Sequence, residues 1–267
     1  TNFYFFWLSR SPSYLAAQEE LLLPNIYQLK AEEALQNTVE KVQPQSVHIP
    51  ILIYHSVHPH SSREIPLVRY YDVAPIAFKK QLQYLKDNNY AVISSSYLAE
   101  ALEKNIALLP KSVVINFDDG WRNQYKYAFP LLKEYGYTAT FFLPSDVIGH
   151  GFFMSWDQVK DLDNAGMEIG GHTRTHPYLP SIDNQADLED EIIGGKTVLE
   201  SKLGHPIFSF AYPFGHYNDN IIGVVKKAGF TSARSTYKGV YNSLADIYTL
   251  KGVEVTDDFN KFVENIK

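Results

Sequence analysis

The sequence VVINFDDG spans residues 113–120 and predicts a buried β-strand that ends in two adjacent carboxylates. The run 113–117 is apolar apart from one asparagine, which is typical of a strand covered on both faces. Asp118 and Asp119 follow directly, and Gly120 adds a turn signal. In parallel α/β barrels the functional side chains gather at the carboxyl ends of the strands. This stretch therefore predicts both a fold class and the position of a site.

Similar strand patterns alternate with helical patterns on both sides of this stretch. Further strands are predicted at residues 48–54, 138–143, 167–170, 207–212, 231–234 and 248–255. Helices are predicted at residues 76–88, 97–104, 124–135, 156–164, 185–203 and 218–228. The alternation indicates a parallel sheet. Six or seven such units favour an α/β fold built as a distorted or incomplete (β/α) barrel, and a doubly wound open sheet is the alternative.

The N-terminal part of the chain has a different character. Residues 11–42 are rich in Ala, Leu, Glu and Gln, so we expect residues 1–45 to form a helical leader or stalk and residues 46–267 to form the α/β domain. The apolar run 3–8 is shorter than the ~20 residues that span a bilayer. It is either the remainder of a signal peptide or membrane anchor, or an aromatic segment that docks on the domain.

Composition restricts the chemistry that the chain can perform. With 45% hydrophobic and 20% charged residues, the chain of 267 residues is globular. It contains no cysteine, which excludes disulfides, thiolate metal sites and a cysteine nucleophile, so that His, Asp or Glu must hold any metal. The net charge is −6 and no basic run stands out, so nucleic acid is not an expected partner.

Polar side chains follow four of the predicted strands at the point where each strand ends. Structural polar residues scattered along the chain would not be expected to share this position. These strand ends carry His55, the pair Asp118 and Asp119, the pair His172 and His176, and the turn Pro213-Phe214-Gly215.

The aspartate pair Asp118 and Asp119 and the histidine pair His172 and His176 together resemble a catalytic metal site. Adjacent carboxylates repel each other unless a cation or a division of roles relieves them, although Asp-Gly is also a common turn. His172 and His176 are four residues apart, as two ligands on one turn require. Pro177 disfavours a helix at His176, so we expect a loop or a single turn. A His₂Asp set leaves coordination positions open, which is a catalytic rather than a structural pattern.

The remaining histidines and acids are weaker candidates. A single histidine is more often structural, but the position of His55 after a strand favours a functional role. The Asp257-Asp258 pair predicts the start of a helix, where acids are favoured. Surface or structural roles are expected for His48, His58, His60, His150, His205 and His216.

Three motifs in order resemble those of the polysaccharide deacetylase family, which is carbohydrate esterase family 4 and has the NodB-homology fold. They are Asn116-Phe-Asp-Asp-Gly120, Gly171-His-Thr-Arg-Thr-His176 and Phe210-Ala-Tyr-Pro-Phe-Gly215. The resemblance covers residues 48–255 and implies a NodB-type barrel. The segment Ile53-Tyr-His-Ser-Val57 resembles the branch of biofilm poly-β-1,6-N-acetylglucosamine deacetylases, in which an early histidine replaces one from a C-terminal motif.

The resemblance implies a role for each polar residue at the strand ends. Asp119, His172 and His176 would bind one divalent ion, with zinc expected and nickel, cobalt or iron as alternatives because ligand type does not select among them. Asp118 would be the general base, and His55 would protonate the departing amine.

The third motif would contact the substrate through Tyr212, Pro213 and Phe214, with the backbone N–H of Phe214 stabilising the oxyanion. Trp156 is a further candidate for substrate contact. Many family members have an arginine that orients the base where this chain has Ala211, and Arg234, after the next strand, is a candidate replacement.

The expected reaction is removal of N-acetyl groups from poly-β-1,6-N-acetylglucosamine, at an extracellular or cell-surface location, with possible membrane attachment through the N-terminus. Peptidoglycan or chitooligosaccharide deacetylation would use the same residues. A carbohydrate-binding module with a relic site is a non-enzymatic alternative. A phosphoesterase is a further alternative and is an enzyme, although phosphoesterase sites often hold two metals and need more carboxylates.

Overall fold

The computed structural model describes residues 46–60 and 72–267. The predictions of a leader helix and a membrane anchor fall on residues 1–45 and lie outside the described residues. The boundary at residue 46 stays a prediction. Within the described ranges, no helix is both long and apolar enough to cross a membrane.

Twelve strands are present in the described residues. They are β1 (Val47–His48), β2 (Ile51–Tyr54), β3 (Ser56–Val57), β4 (Asp72–Val73), β5 (Ala91–Ile93), β6 (Ser112–Phe117), β7 (Thr140–Leu143), β8 (Glu168–Gly171), β9 (Ser209–Ala211), β10 (Ser232–Lys238), β11 (Tyr241–Asn242) and β12 (Leu250–Glu254).

Seven of these strands form a closed parallel barrel. The order around the ring is β2, β12, β10, β9, β8, β7 and β6, and β6 pairs with β2 from Ile51↔Val114 to Tyr54↔Phe117 to close it. The barrel is confirmed, and the closing pair excludes the open-sheet alternative. All seven strands were predicted from their apolar runs.

Helices surround the barrel at the predicted positions. They are α1 (Pro75–Asp87), α2 (Ser95–Glu103), α3 (Phe129–Tyr135), α4 (Trp156–Asn164), α5 (Gln185–Glu189), α6 (Gly195–Leu203), α7 (Asp219–Lys227) and α8 (Phe259–Ile266). Two π-helical turns, Gln124–Ala128 and Asp190–Gly194, lead into α3 and α6. Asp258 caps α8 through its side chain, which confirms the predicted helix start.

The faces of β6 explain how the barrel directs the first aspartate. Val113, Ile115 and Phe117 pack in the main apolar cluster, whereas Val114 packs in a second cluster with residues of β2 and β12. Successive side chains of a strand point to opposite faces. The alternation continues through Asn116, so Asp118 points into the barrel.

Some elements were not predicted. β5 pairs with β6 outside the ring, and the pairs β1–β11 and β3–β4 are two-stranded additions. β10 extends four residues beyond its predicted end, with a register shift against β12 between Arg234 and Lys238. These short or irregular strands have too few alternating residues to be recognised by pattern alone.

Candidate active site

Asp119, His172 and His176 lie together at the carboxyl ends of β6 and β8. Asp119 Oδ1 is 3.5 Å from His172 Nε2 and 3.3 Å from His176 Nε2. One ligand atom from each residue lies within 4.8 Å of the others, a spacing that one metal ion can bridge. The sequence prediction that these residues converge is therefore matched by their positions.

Left-handed backbone conformations aim these side chains. Asp119 has φ +73°, Thr173 has φ +68° and His176 has φ +62°. Such angles are uncommon outside glycine and are held by surrounding contacts, often at functional sites. The left-handed turn directs Asp119 away from Asp118 and allows the two carboxylates different partners. The segment between the two histidines is a loop, as expected from Pro177.

A backbone carbonyl orients His172. The ring is buried, and its Nδ1–H donates to the carbonyl of Ala211 at 2.7 Å. This hydrogen bond orients the ring so that Nε2 faces Asp119. Outer hydrogen bonds of this kind are typical of metal-binding histidines.

The carboxyl of Asp119 is ionised. Burial raises its pKa, but hydrogen bonds to His172 and His176, with the charges of His172 and His55, hold the pKa well below its usual range. Trp121 Nε1–H donates to the second oxygen, Oδ2, at 3.0 Å. An ionised carboxylate with one oxygen free of the tryptophan and two correctly presented imidazoles fits a divalent ion.

Asp118 lies between two positive or ionisable partners. Its Oδ1 accepts a 2.5 Å hydrogen bond from Arg234 Nη2, and its Oδ2 is 4.0 Å from His55 Nε2. Asp118 and Arg234 are each 2% exposed. The ion pair keeps a buried carboxylate charged, and the rim side of the group faces His55.

Strand register explains why Arg234 reaches this carboxylate. Arg234 is the direct neighbour of Ala211 across the β9–β10 pair. Many family members place an arginine on β9 at this point, and here the guanidinium of Arg234 takes that position from the adjacent strand, β10. The suggestion that Arg234 contacts the base in place of a residue at position 211 agrees with this geometry.

Gln124 connects the two strands that carry His55 and Asp118. Its Nε2 donates to the backbone carbonyls of both residues, each at 2.5 Å. Asn123, one residue earlier, bonds Ser56 and the backbone of Val57. The π-helical turn after the aspartates therefore fixes the spacing of His55 and Asp118. Sequence reasoning missed this amide because nothing local marks it.

The site opens into a cleft of about 1130 Å³. Phe214 lines it with its ring 4.7 Å from that of His176, and 55% of Phe214 is exposed. Phe214 has φ +58°, and the next residue, Gly215, has no room for a Cβ because Thr236 Oγ1 would lie 2.1 Å away. The tight turn thus presents the phenyl ring at the rim.

Two expected substrate contacts are not supported by the structure. Tyr212 is 1% exposed and its hydroxyl donates to the carbonyl of Tyr248 at 3.0 Å. Pro213 is also buried, and neither residue lines the cleft. Trp156 does not line it either. The alternation of β9 turns Tyr212 into the core, so these side chains support the rim instead of facing the substrate.

His58 was expected to be structural, yet it lines the cleft. Its Nδ1 lies 3.8 Å from Asp72 Oδ1, and Asp72 lines the same cavity. Their strands β3 and β4 are two residues long. Segments this short give no periodic signal from which the pair could have been predicted.

Comparison with known proteins agrees with this geometry. The sequence profile described as polysaccharide deacetylase matches residues 106–233, which contain all three motifs and four of the seven barrel strands, β6 to β9. Over these residues the chain is similar to the polysaccharide deacetylase family. Enzymes of this family depend on a metal ion, and this chain has a His₂Asp group suited to one.

Two curated proteins and one solved structure are similar to this chain. YxkH of Bacillus subtilis, whose name also assigns it to the polysaccharide deacetylases, is 26% identical over 94% of this chain and 91% of its own length. The poly-β-1,6-N-acetyl-D-glucosamine N-deacetylase of Staphylococcus aureus is 27% identical over 74% of this chain and 71% of its own. The Streptococcus pyogenes deacetylase PplD, solved in complex with acetate, is 27% identical, with a TM-score of 0.76 over 84% of this chain and 100% of its own.

Proposed function

We propose that this deacetylase hydrolyses N-acetyl groups of an N-acetylglucosamine-containing polysaccharide, releases acetate, and acts on poly-β-1,6-N-acetylglucosamine. The observation that carries the proposal is the placement of Asp118 and His55 beside the Asp119, His172 and His176 group in one open cleft. The similarity to the Staphylococcus aureus enzyme supports the linkage.

The metal ligands are Asp119, His172 and His176. A divalent ion held by them, with zinc as the first candidate, would supply Lewis-acid polarisation of the acetyl carbonyl and would lower the pKa of a bound water. Asp119 contributes the negative charge. The two imidazoles remain neutral ligands, and the Ala211 carbonyl holds the His172 ring in the required orientation.

Asp118 acts as the general base and removes a proton from the attacking water. Arg234 forms a buried ion pair with one carboxylate oxygen, while the other oxygen is directed to the rim near His55. A base must carry a lone pair within reach of the water, and the fixed pair with Arg234 orients the carboxylate for this task.

His55 donates a proton to the departing amine nitrogen. Its side chain is 20% exposed at the rim, so it reaches the substrate without losing contact with Asp118. Without protonation the amide nitrogen would leave as an unstable anion, so a positioned acid lowers the barrier to cleavage. The backbone N–H of Phe214 is proposed to stabilise the oxyanion, and its ring to contact the sugar.

Two alternative substrates use the same chemistry. Peptidoglycan and chitooligosaccharides also carry N-acetylglucosamine, and the residues that bind the reacting acetamide do not distinguish them. A two-metal phosphoesterase is less well supported, because Asp119, His172 and His176 are the single metal-binding group among the described residues. An extracellular or cell-surface location is proposed from the polymeric substrate.

Acetate release from defined oligomers tests the proposal. β-1,6- and β-1,4-linked N-acetylglucosamine pentamers are incubated side by side with the metal-loaded enzyme, and acetate is quantified over time. We expect faster release from the β-1,6 pentamer. Faster release from the β-1,4 pentamer would transfer the assignment to the chitooligosaccharide alternative, and no release from either would reject the proposed function.

A further inference from the structure

A second groove adjoins the catalytic cleft along the helical segment that follows Gly120. Its volume is about 530 Å³. Arg122 and Lys126 line both the cleft and this groove, and Lys133 lines the groove further along the segment. A polymer that occupies the cleft can therefore extend past all three cations.

The three cations are held in place without being neutralised. Arg122 donates from Nη2 to the carbonyl of Gly151 at 2.8 Å and from Nε to that of Phe153 at 3.2 Å, which orients the guanidinium but leaves its charge. Lys126 Nζ lies 4.9 Å from the ring centre of Tyr127, and Lys133 Nζ lies 5.2 Å from that of Phe129.

No carboxylate of the described part of the chain lies within ion-pair distance of these three side chains. Tyr125 also lines the groove, and its hydroxyl donates a 2.8 Å hydrogen bond to the carboxylate of Asp161. In a chain whose net charge is −6, three cations without acidic partners in one groove are a local departure from the overall balance.

We propose that this groove binds an anionic group, a carboxylate or a phosphate, that the polysaccharide carries close to the N-acetyl sugar being hydrolysed. The proposal rests on the deacetylation reaction of the proposed function, and it requires an N-acetylglucosamine polymer that carries acidic substituents, because the unsubstituted β-1,6-linked homopolymer is uncharged before hydrolysis. Arg122 supplies a forked donor and the two lysines supply point charges, which is the donor set that such anions require.

The same charges affect the product. Hydrolysis of an N-acetyl group leaves a glucosamine whose amine is protonated near neutral pH, and Arg122, Lys126 and Lys133 repel that ammonium group. The groove therefore favours acetylated, acid-bearing stretches of polymer over stretches that have already been processed.

Three N-acetylglucosamine pentamers of equal length and linkage test the groove. One is neutral, one carries a carboxylate and one carries a phosphate on the sugar next to the reacting unit. We expect kcat/KM to be about 3- to 10-fold higher for at least one anionic pentamer at low ionic strength, and the advantage to shrink in about 0.5 M NaCl. The two anionic arms distinguish a carboxylate from a phosphate.

A matched pair of variants locates the effect. Lys133→Gln removes a lysine that lies over a ring in the groove, and Lys226→Gln removes an exposed lysine 4.8 Å from the ring of Tyr248 on α7, outside both cavities. We expect the first variant to lower the ratio of anionic to neutral kcat/KM and the second to keep it. Equal kcat/KM for all three pentamers, or an undiminished preference in Lys133→Gln, would overturn the proposal.

Failure of the proposed function is distinguishable from failure of the groove. If no pentamer releases acetate, the proposed function fails, and calorimetric binding of the same pentamers to the metal-loaded protein then tests the groove alone. A lower Kd for an anionic pentamer supports the groove, and equal Kd values reject it.

Discussion

Arg234 on β10 holds the carboxylate of Asp118, the residue that follows β6, through a 2.5 Å hydrogen bond inside the barrel, where each residue is 2% exposed. The pair joins two strands that are not neighbours in the ring. It also supplies the positive charge that many family members place on β9. The activity of the enzyme should therefore depend on an arginine here, but not on the strand from which it comes.

Replacing Arg234 should damage both stability and activity. Arg234→Met leaves the Asp118 carboxylate buried and unpaired, which is expected to cost about 3–5 kcal/mol in the free energy of unfolding. Thermal melts and acetate-release kinetics measure the two losses. The double variant Arg234→Met/Ala211→Arg restores the guanidinium from the paired position on β9. Partial recovery of kcat is expected, and no recovery would show that the strand of origin matters.

Asp118→Asn should separate metal binding from catalysis. The amide keeps the size of the side chain but cannot accept a proton from water, so we expect kcat to fall by ~10² or more. Asp119, His172 and His176 are unchanged, and metal content measured by atomic absorption should equal that of the unmodified enzyme. Full activity in this variant would remove Asp118 from the role of base.

Glu191 is expected to fix the loop that carries both metal-binding histidines. Its carboxylate accepts hydrogen bonds from the backbone N–H groups of Arg174 and Thr175, at 3.0 and 2.9 Å, and from the Thr175 hydroxyl at 2.7 Å. Glu191→Ala removes all three and should weaken metal affinity about 10- to 100-fold, as measured by competition with a chelator.

Glu189→Ala is the control for this prediction. Glu189 lies on the preceding turn and pairs with Lys227 at the surface, so its loss should leave the metal affinity unchanged. An equal drop in both variants would indicate general loosening of the helix, and no drop in Glu191→Ala would exclude the positioning role.

Phe214→Ala should raise KM and leave the free energy of unfolding almost unchanged. The ring is 55% exposed at the rim, so little core packing is lost. Loss of one aromatic contact with a sugar ring corresponds to about a 3- to 10-fold rise in KM. Tyr241→Ala removes another exposed ring, 58% exposed, that does not line the cleft. Its KM should stay at the unmodified value, and an unchanged KM in Phe214→Ala would argue against substrate contact.

The barrel and the position of the metal group could be predicted because each depends on strand ends. An apolar run of four to seven residues identifies a strand, and the carboxyl ends of parallel strands share one rim. Asp119, His172 and His176 were therefore found from sequence, although their left-handed backbone angles were not. Those angles depend on contacts with distant segments, such as the one between Glu191 and the loop.

Side-chain direction was the harder question. Tyr212 and Phe214 are two residues apart in one motif, yet the first is buried and the second is exposed, because β9 ends at Ala211 and the tight turn at 213–215 gives Phe214 a left-handed backbone. Gln124 reaches two backbone carbonyls from a π-helical turn, a geometry that no residue pattern predicts. Tertiary packing determines both the directions of the Tyr212 and Phe214 side chains and the contacts of Gln124.

The closing pair between β2 and β6 has a consequence for how such an enzyme can evolve. β2 is the first strand of the ring along the chain, and it lies between β12, the last, and β6. The ring is therefore closed, and each strand keeps the same two neighbours whichever strand comes first in the chain. A circular permutant that encodes β2 after β12 would bring His55 to the same place beside Asp118, so a gene rearrangement can relocate this proposed proton donor in the sequence without moving it in space.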